Sequence, residues 1–182
     1  MHSQGAGKEL RPATGADLPA LRALIDASVR ELSRGFYTVA QVESALRYVF
    51  GPDTQLIADQ TYYVLPAPEG FAAAGGWSKR RTLFGGDQMK ATVDSLLDPA
   101  TDPARIRAFY VHPAHARKGL GRLMLEHCSA AAQAEGFSKL ELMSTMPGVP
   151  LYTAMGFTAI EESPLTMPDG VVLPMVRMGK SL

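Results

Sequence analysis

The chain has 182 residues, 18 basic and 18 acidic side chains, and one cysteine. Zero net charge removes any general electrostatic case for nucleic acid or an anionic membrane as partner, and the single Cys128 excludes an internal disulfide framework and fits a reducing cytoplasm. No segment approaches the roughly 20 apolar residues of a membrane span, and the N-terminal residues lack the apolar stretch of a signal peptide. Residues 1–7 are expected to form a flexible lead-in and residues 8–182 a single domain, long enough for a sizeable core.

Lys8 to Ala13 reads as a first strand. Thr14 or Asp17 can cap a helix to about Ser33, with Leu18, Leu21, Leu24, Ile25 and Leu32 as its apolar stripe. Gly35-Phe36-Tyr37-Thr38 breaks that helix, and Val39 to Val49 reads as a second one before Gly51-Pro52. Thr61–Leu65 and Phe71–Ser78 predict paired strands around the turn residues Pro66-Ala67-Pro68-Glu69-Gly70. Lys79 to Asp102 carries no clear element, and connections this long are often functional. Arg105 to Val111 has the β-branched and aromatic mix of a central strand. From Leu120 the period becomes helical, with Leu120, Leu123, Met124, His127 and Ala131 in register. Cys128 on the apolar side of that helix reads as a buried small hydrophobe rather than a nucleophile. Strands near Lys139–Ser144, Phe157–Glu161 and Val171–Met178 follow, with Pro168-Asp169-Gly170 turning the last pair. Alternating strands and helices predict an α/β layered fold.

The most informative run is Val111-His112-Pro113-Ala114-His115-Ala116-Arg117-Lys118-Gly119-Leu120-Gly121-Arg122, which joins the central strand to the long helix. A helix N-terminus carries unpaired N–H groups and a positive dipole end, and glycines let a phosphate reach that backbone. The same glycines also make ordinary tight turns, so both readings stand at this point. A Walker loop is absent, and a dinucleotide G-x-G-x-x-G would need glycine where Met124 stands. Metal binding has no support, because neither His112 and His115 nor His127 and Cys128 complete a ligand set.

A second segment, Leu151-Tyr152-Thr153-Ala154-Met155-Gly156-Phe157, follows the Lys139–Ser144 strand and a loop with Pro147, Gly148 and Pro150. Together A-R-K-G-L-G and L-Y-T-A-M-G-F, in this order after a V-x-P strand, resemble the GNAT superfamily of N-acetyltransferases over about residues 104–160. The resemblance implies a GNAT-like mixed, splayed central β-sheet flanked by helices, with acetyl-CoA as co-substrate wedged into the opening. It implies direct transfer of an acetyl group to a primary amine, on a small molecule or a peptide, within a ternary complex. Backbone groups of Phe109 and Val111 would pair with the pantetheine arm. Ala116, Arg117, Lys118, Gly119, Leu120, Gly121 and Arg122 would hold the pyrophosphate, with Thr145 near the cofactor or acceptor. Tyr152 would protonate the departing sulfur, although a tyrosine here can equally be a core residue with a satisfied hydroxyl.

Three departures from the family pattern matter. Ala116 stands where Arg or Gln is usual, and Thr145 where many members have Asn. The acidic residue that some members carry at the start of the V-x-P strand is missing, with Arg105 or Arg107 in its place. Arginine is no base near neutral pH, so the general base stays unassigned, with Asp87, Glu141 or ordered water as candidates. His112 and His115 titrate in a useful range, but a residue just past a strand end more often serves the turn. The 79–102 segment is either a solvated loop or a wall of the acceptor pocket in which Arg80 or Arg81 faces a substrate carboxylate, a task Arg105 and Arg107, alternating along the strand, could share. The alternative function is a noncatalytic acyl-CoA-binding sensor on the same fold.

Overall fold

A computed structural model describes residues 9–89 and 94–182. The expected lead-in of residues 1–7 lies outside them, as do Lys8 and residues 90–93 of the long connection. Among the described residues the elements run β1 (Arg11–Pro12), α1 (Leu18–Leu32), α2 (Val39–Tyr48), α3 (Thr54–Ala58), β2 (Tyr62–Ala67), β3 (Gly70–Ser78), β4 (Ala104–Val111) and α4 (Leu120–Ala134). They continue as β5 (Lys139–Thr145), α5 (Val149–Ala154), β6 (Thr158–Glu162), β7 (Leu165–Thr166), β8 (Val172–Leu173) and β9 (Met175–Ser181). Seven strands form a mixed sheet in the order β1-β2-β3-β4-β5-β9-β6, and β7 pairs with β8 in a separate hairpin. No helix among the described residues is long and apolar enough to cross a membrane.

Side-chain alternation divides the core between the two sheet faces. Tyr62 and Val64 of β2 pack with Leu21 and Leu24 of α1, whereas Tyr63 and Leu65 pack with Leu120 and Met124 of α4. The β3 run Phe71–Ser78 is buried throughout, as a strand covered on both faces must be. The buried stripe of α4 is Leu120, Met124, Leu125, Cys128 and Ala132. It is rotated from the expected one: Leu123 is 38% exposed, and His127 is exposed with its ring edge-on to Tyr63. Cys128 is fully buried, and burial pushes its thiol well above the ordinary range.

Two sequence expectations change. The Val171–Met178 strand is divided at Pro174, which has no N–H to give a ladder. Its first part, β8, turns back on β7, and β9 enters the main sheet between β5 and β6. The short helix α3 was not foreseen; the Asp53 carboxylate caps it by accepting from the N–H of Gln55 (3.0 Å) and Leu56 (3.3 Å).

At the start of α1, Asp17 accepts both guanidinium nitrogens of Arg11 (2.8 and 2.9 Å) and the N–H of Thr14 (2.8 Å). These bonds, the Arg11 pair first, hold the Asp17 carboxyl down at about 2. A carboxyl lowered on folding contributes stability above its unfolded value of about 3.9 and loses it as pH falls through the folded one. Asp17→Asn is therefore expected to lower the melting temperature at neutral pH, with the gap to the parent closing as pH drops from about 4 to about 2. Parallel thermal melts across that window check it.

What positions a site is the relation of β4 to β5. These parallel strands pair only at Ala104↔Leu140 and Arg105↔Glu141. Beyond that point they diverge, while β4 stays registered with β3 as far as Val111. The sheet is split along the C-terminal half of β4, beside the N-terminus of α4.

Candidate active site

The split opens into a cavity of about 550 Å³. Its central wall is β4, which carries a bulge: Ala74 faces Tyr110 and Gly76 faces Arg107, so Gly75 opposes two residues, Ala108 and Phe109. Ala108 takes the left-handed backbone (φ 56°), a strained state for a residue with a side chain. The bulge lays the Phe109 ring over Gly75, where a Cβ would stand 2.5 Å from Cδ1 of that ring. Past the bulge, the His112 N–H donates to the Ala72 carbonyl (2.8 Å). Antiparallel alternation then turns the N–H and C=O of the preceding Val111 away from β3, toward the open side.

The turn to α4 is shaped for an anion. His112 Nδ1 accepts from the Ala114 N–H (3.1 Å), so its ring braces the 3-10 turn Pro113–His115. Arg117 (φ 59°) and Gly119 (φ 77°) are both left-handed. The first bond into α4 runs from the Leu123 N–H to the Gly119 carbonyl (3.0 Å). Among the described residues, no acceptor is found for the N–H groups of Arg117, Lys118, Gly119, Leu120, Gly121 or Arg122. Free N–H groups at the positive end of a 15-residue helix are suited to receive an anion. The side chains of Arg117, Lys118 and Arg122 are exposed around them. A Cβ on Gly119 would meet open space, so Gly119→Ala tests backbone conformation alone. It is expected to lower stability by about 1–2 kcal/mol, read by denaturant unfolding without ligand.

The opposite wall is α5 with the segment leading into it. Tyr152 is 9% exposed, between the rings of Phe109 (6.4 Å) and Phe157 (5.7 Å). Burial raises its phenol well above the ordinary value, so it keeps its proton through the physiological range. Thr145, Pro147, Gly148, Pro150 and Leu151 complete this side. Tyr37, which the sequence marked only as part of a helix break, donates to the Pro174 carbonyl (2.6 Å) and accepts from the Met146 N–H (2.9 Å). It fixes the turn that carries Thr145 and Pro147 into the cavity.

The end of the cavity away from the glycine turn is walled by Val29 and Leu32 of α1, by Phe36 and Phe50, by Leu83–Gly86 and by Met143. The long connection therefore supplies a wall, through Leu83, Phe84, Gly85 and Gly86. The arginines proposed from sequence to reach a substrate are placed otherwise. Arg80 binds Asp59 through two nitrogens (2.7 and 2.9 Å) and donates to the Asp94 carbonyl (3.0 Å). Arg81 donates to Ser95 Oγ (3.1 Å), and neither arginine lines the cavity. Both instead fasten the two ends of the connection together. Arg107 does line the cavity but is already engaged: it donates to Asp53 Oδ2 (2.8 Å), the Gly85 carbonyl (2.6 Å) and the Thr82 carbonyl (3.2 Å). Burial lowers its guanidinium, with Asp53 opposing that shift. Arg107 is a clasp that holds the 82–85 segment against β4.

The two carboxylates considered as bases also sit elsewhere. Asp87 accepts from the N–H (3.0 Å) and hydroxyl (3.1 Å) of Thr54. Glu141 lies in an ion cluster with Arg105 (3.1 Å) and Arg177 (3.1 Å). Neither lines the cavity, nor do His112 and His115.

Comparison with known proteins agrees with this geometry. Residues 85–159 match the family model described as an acetyltransferase (GNAT) domain. A curated relative, phosphinothricin N-acetyltransferase of Streptomyces viridochromogenes, is 26% identical over 158 residues, covering 83% of this chain and 74% of that protein. The crystal structure of a GCN5-related N-acetyltransferase from Rhodopseudomonas palustris superposes with a TM-score of 0.71 at 19% identity, covering 100% of both chains. The Salmonella typhimurium protein yncA, solved with its cofactor acetyl-CoA, gives 0.63 at 19% identity and covers 97% of this chain and 95% of its own. The split mixed sheet is the fold shared with these solved acetyltransferases. The match over residues 85–159 and the shared fold make the chain similar to the GNAT acetyltransferases.

Proposed function

We propose that this protein is an N-acetyltransferase that moves an acetyl group from acetyl-CoA to a primary amine by direct attack. The observation that carries the proposal is the run of free N–H groups from Arg117 to Arg122 at the mouth of the β4–β5 split. The cradle suits a pyrophosphate, and the open edge of β4 at Val111 suits an extended amide arm such as pantetheine. Both fit acetyl-CoA, which accompanies the structural neighbour yncA. Phe109, Val111, Ala116, Thr145 and the glycine turn are its proposed contacts, with Arg117, Lys118 and Arg122 adding charge.

In the reaction the amine nitrogen bonds to the thioester carbonyl carbon and the carbon–sulfur bond breaks. Tyr152 stands in the cavity as a protonated phenol and is the proposed donor to the departing thiolate. Among the described residues no carboxylate or imidazole lines the cavity, so the amine proton leaves through water. An amine that must arrive already neutral reacts in proportion to its free-base fraction. With a saturating cofactor, kcat/KM is expected to rise about tenfold per pH unit up to the acceptor's own pKa. A plateau between pH 6 and 7, at roughly the pKa of histidine, would instead show a base within the protein. Thiol release measured against pH with one amine decides between them.

A further inference from the structure

The acceptor end of the cavity also carries information about the body of the amine. None of the 18 Asp and Glu residues of the chain lines the cavity. The wall proposed to face the acceptor is Leu32, Phe36, Phe50, Leu83, Phe84 and Met143, with the uncharged Ser28 and Ser33 also lining the cavity. Among the described residues, the charged side chains that line it are cationic: Arg117 and Arg122 at the glycine turn, and Arg107 at the acceptor end. Arg107 is 3% exposed and neutralised by Asp53 at 2.8 Å, with two carbonyls occupying further donors. Apart from Asp53, which is committed to Arg107, Asp26 and Asp87 line a different cavity that shares Phe50 and Gly51 with the first. Asp26 there pairs with Arg30 (2.9 Å), and Asp87 is held by Thr54.

Chemistry then separates the possible amines. An apolar body gains by leaving water for this wall. A second ammonium would be stripped of water with no carboxylate to receive it, next to a buried guanidinium, and a buried unpaired charge is strongly disfavoured. A carboxylate on the body would find Arg107 already committed to Asp53. Resting on the acetyltransferase reading, we infer that the acceptor is a primary monoamine with an uncharged, predominantly apolar body, and that the site discriminates against diamines and polyamines.

The test uses three amines of matched length that differ only at the far end: hexylamine (methyl), cadaverine (ammonium) and ε-aminocaproate (carboxylate). Phenethylamine is added for the aromatic wall. First, thermal stabilisation by acetyl-CoA is measured; its absence would remove the acetyltransferase reading itself and this inference with it. With that stabilisation present, kcat/KM is read by thiol release. Hexylamine and phenethylamine are expected to exceed cadaverine by at least about 100-fold, the size expected for burying an unpaired charge, with ε-aminocaproate also below hexylamine. Cadaverine equal to or better than hexylamine would overturn the inference while leaving the transferase standing. So would stabilisation by acetyl-CoA with no turnover of hexylamine or phenethylamine. A second variant keeps the argument local: Leu83→Asp should shrink the hexylamine-to-cadaverine ratio by about tenfold or more and leave stabilisation by acetyl-CoA unchanged. An unchanged ratio in a folded Leu83→Asp protein would also count against it.

Discussion

Replacing Tyr152 by Phe is expected to lower kcat by about 100-fold or more, the usual contribution of a positioned proton donor, while stabilisation by acetyl-CoA stays within error of the parent. The substitution removes one oxygen and keeps the ring that packs against Phe109 and Phe157. Among the described residues, no hydrogen-bond partner is found for the Tyr152 hydroxyl, so little folding energy rides on it. A structural tyrosine would give the opposite pattern, with lower stability and near-normal turnover. Stopped assays of thiol release, paired with melts at saturating cofactor, separate the two. The same pair of readings bears on the noncatalytic sensor, which binds acetyl-CoA but releases no thiol when amines are added.

The second large effect falls on folding. Arg107 and Asp53 have side chains only 2% and 1% exposed and are joined at 2.8 Å. Removing one partner of a buried ion pair costs about 3–5 kcal/mol, because the other charge stays behind in a poorly solvating interior. Arg107→Met should therefore destabilise by about that amount and also release the carbonyls of Thr82 and Gly85 from their clasp. Asn at position 53 can still cap α3. The double change Asp53→Asn with Arg107→Met should accordingly be less harmful than the sum of the singles, with a coupling of about 1–3 kcal/mol. Denaturant unfolding of the four proteins measures it. Additive effects would mean that the pair does not act as a unit.

Position along the chain decided what the sequence could reveal. Strands β2 to β5 and helices α1, α2 and α4 follow from apolar periodicity, since each buries one face or both against the sheet. The glycine turn was legible for a different reason: the anion-binding role proposed for it lies in the backbone, and the backbone's needs are written as Gly119 and Gly121 in a basic run. Side-chain partnerships across long separations left no such trace. The clasp from Arg107 to Asp53 spans 54 positions, and the Tyr37 bond to Met146 spans 109. The arginines of the long connection looked free because their acceptors, Asp59 and Ser95, lie far off in sequence or in a segment without periodicity. The bulge at Ala108 was equally hidden, since alanine carries no mark of a left-handed backbone. Its one sequence correlate is the Gly75-Gly76 pair on the facing strand, where Gly75 makes room for the Phe109 ring.

Everything proposed for the site depends on acetyl-CoA entering the split between β4 and β5. Thermal unfolding with acetyl-CoA, using NAD and ATP as controls, tests this most directly. A ligand that binds only the native state adds RT ln(1 + [L]/Kd), so a hundredfold excess over Kd should add about 2.7 kcal/mol. A clear shift with acetyl-CoA and none with NAD or ATP is the expected result. No shift at millimolar acetyl-CoA would contradict it, leaving the free N–H groups from Arg117 to Arg122 as a hydrated structural corner.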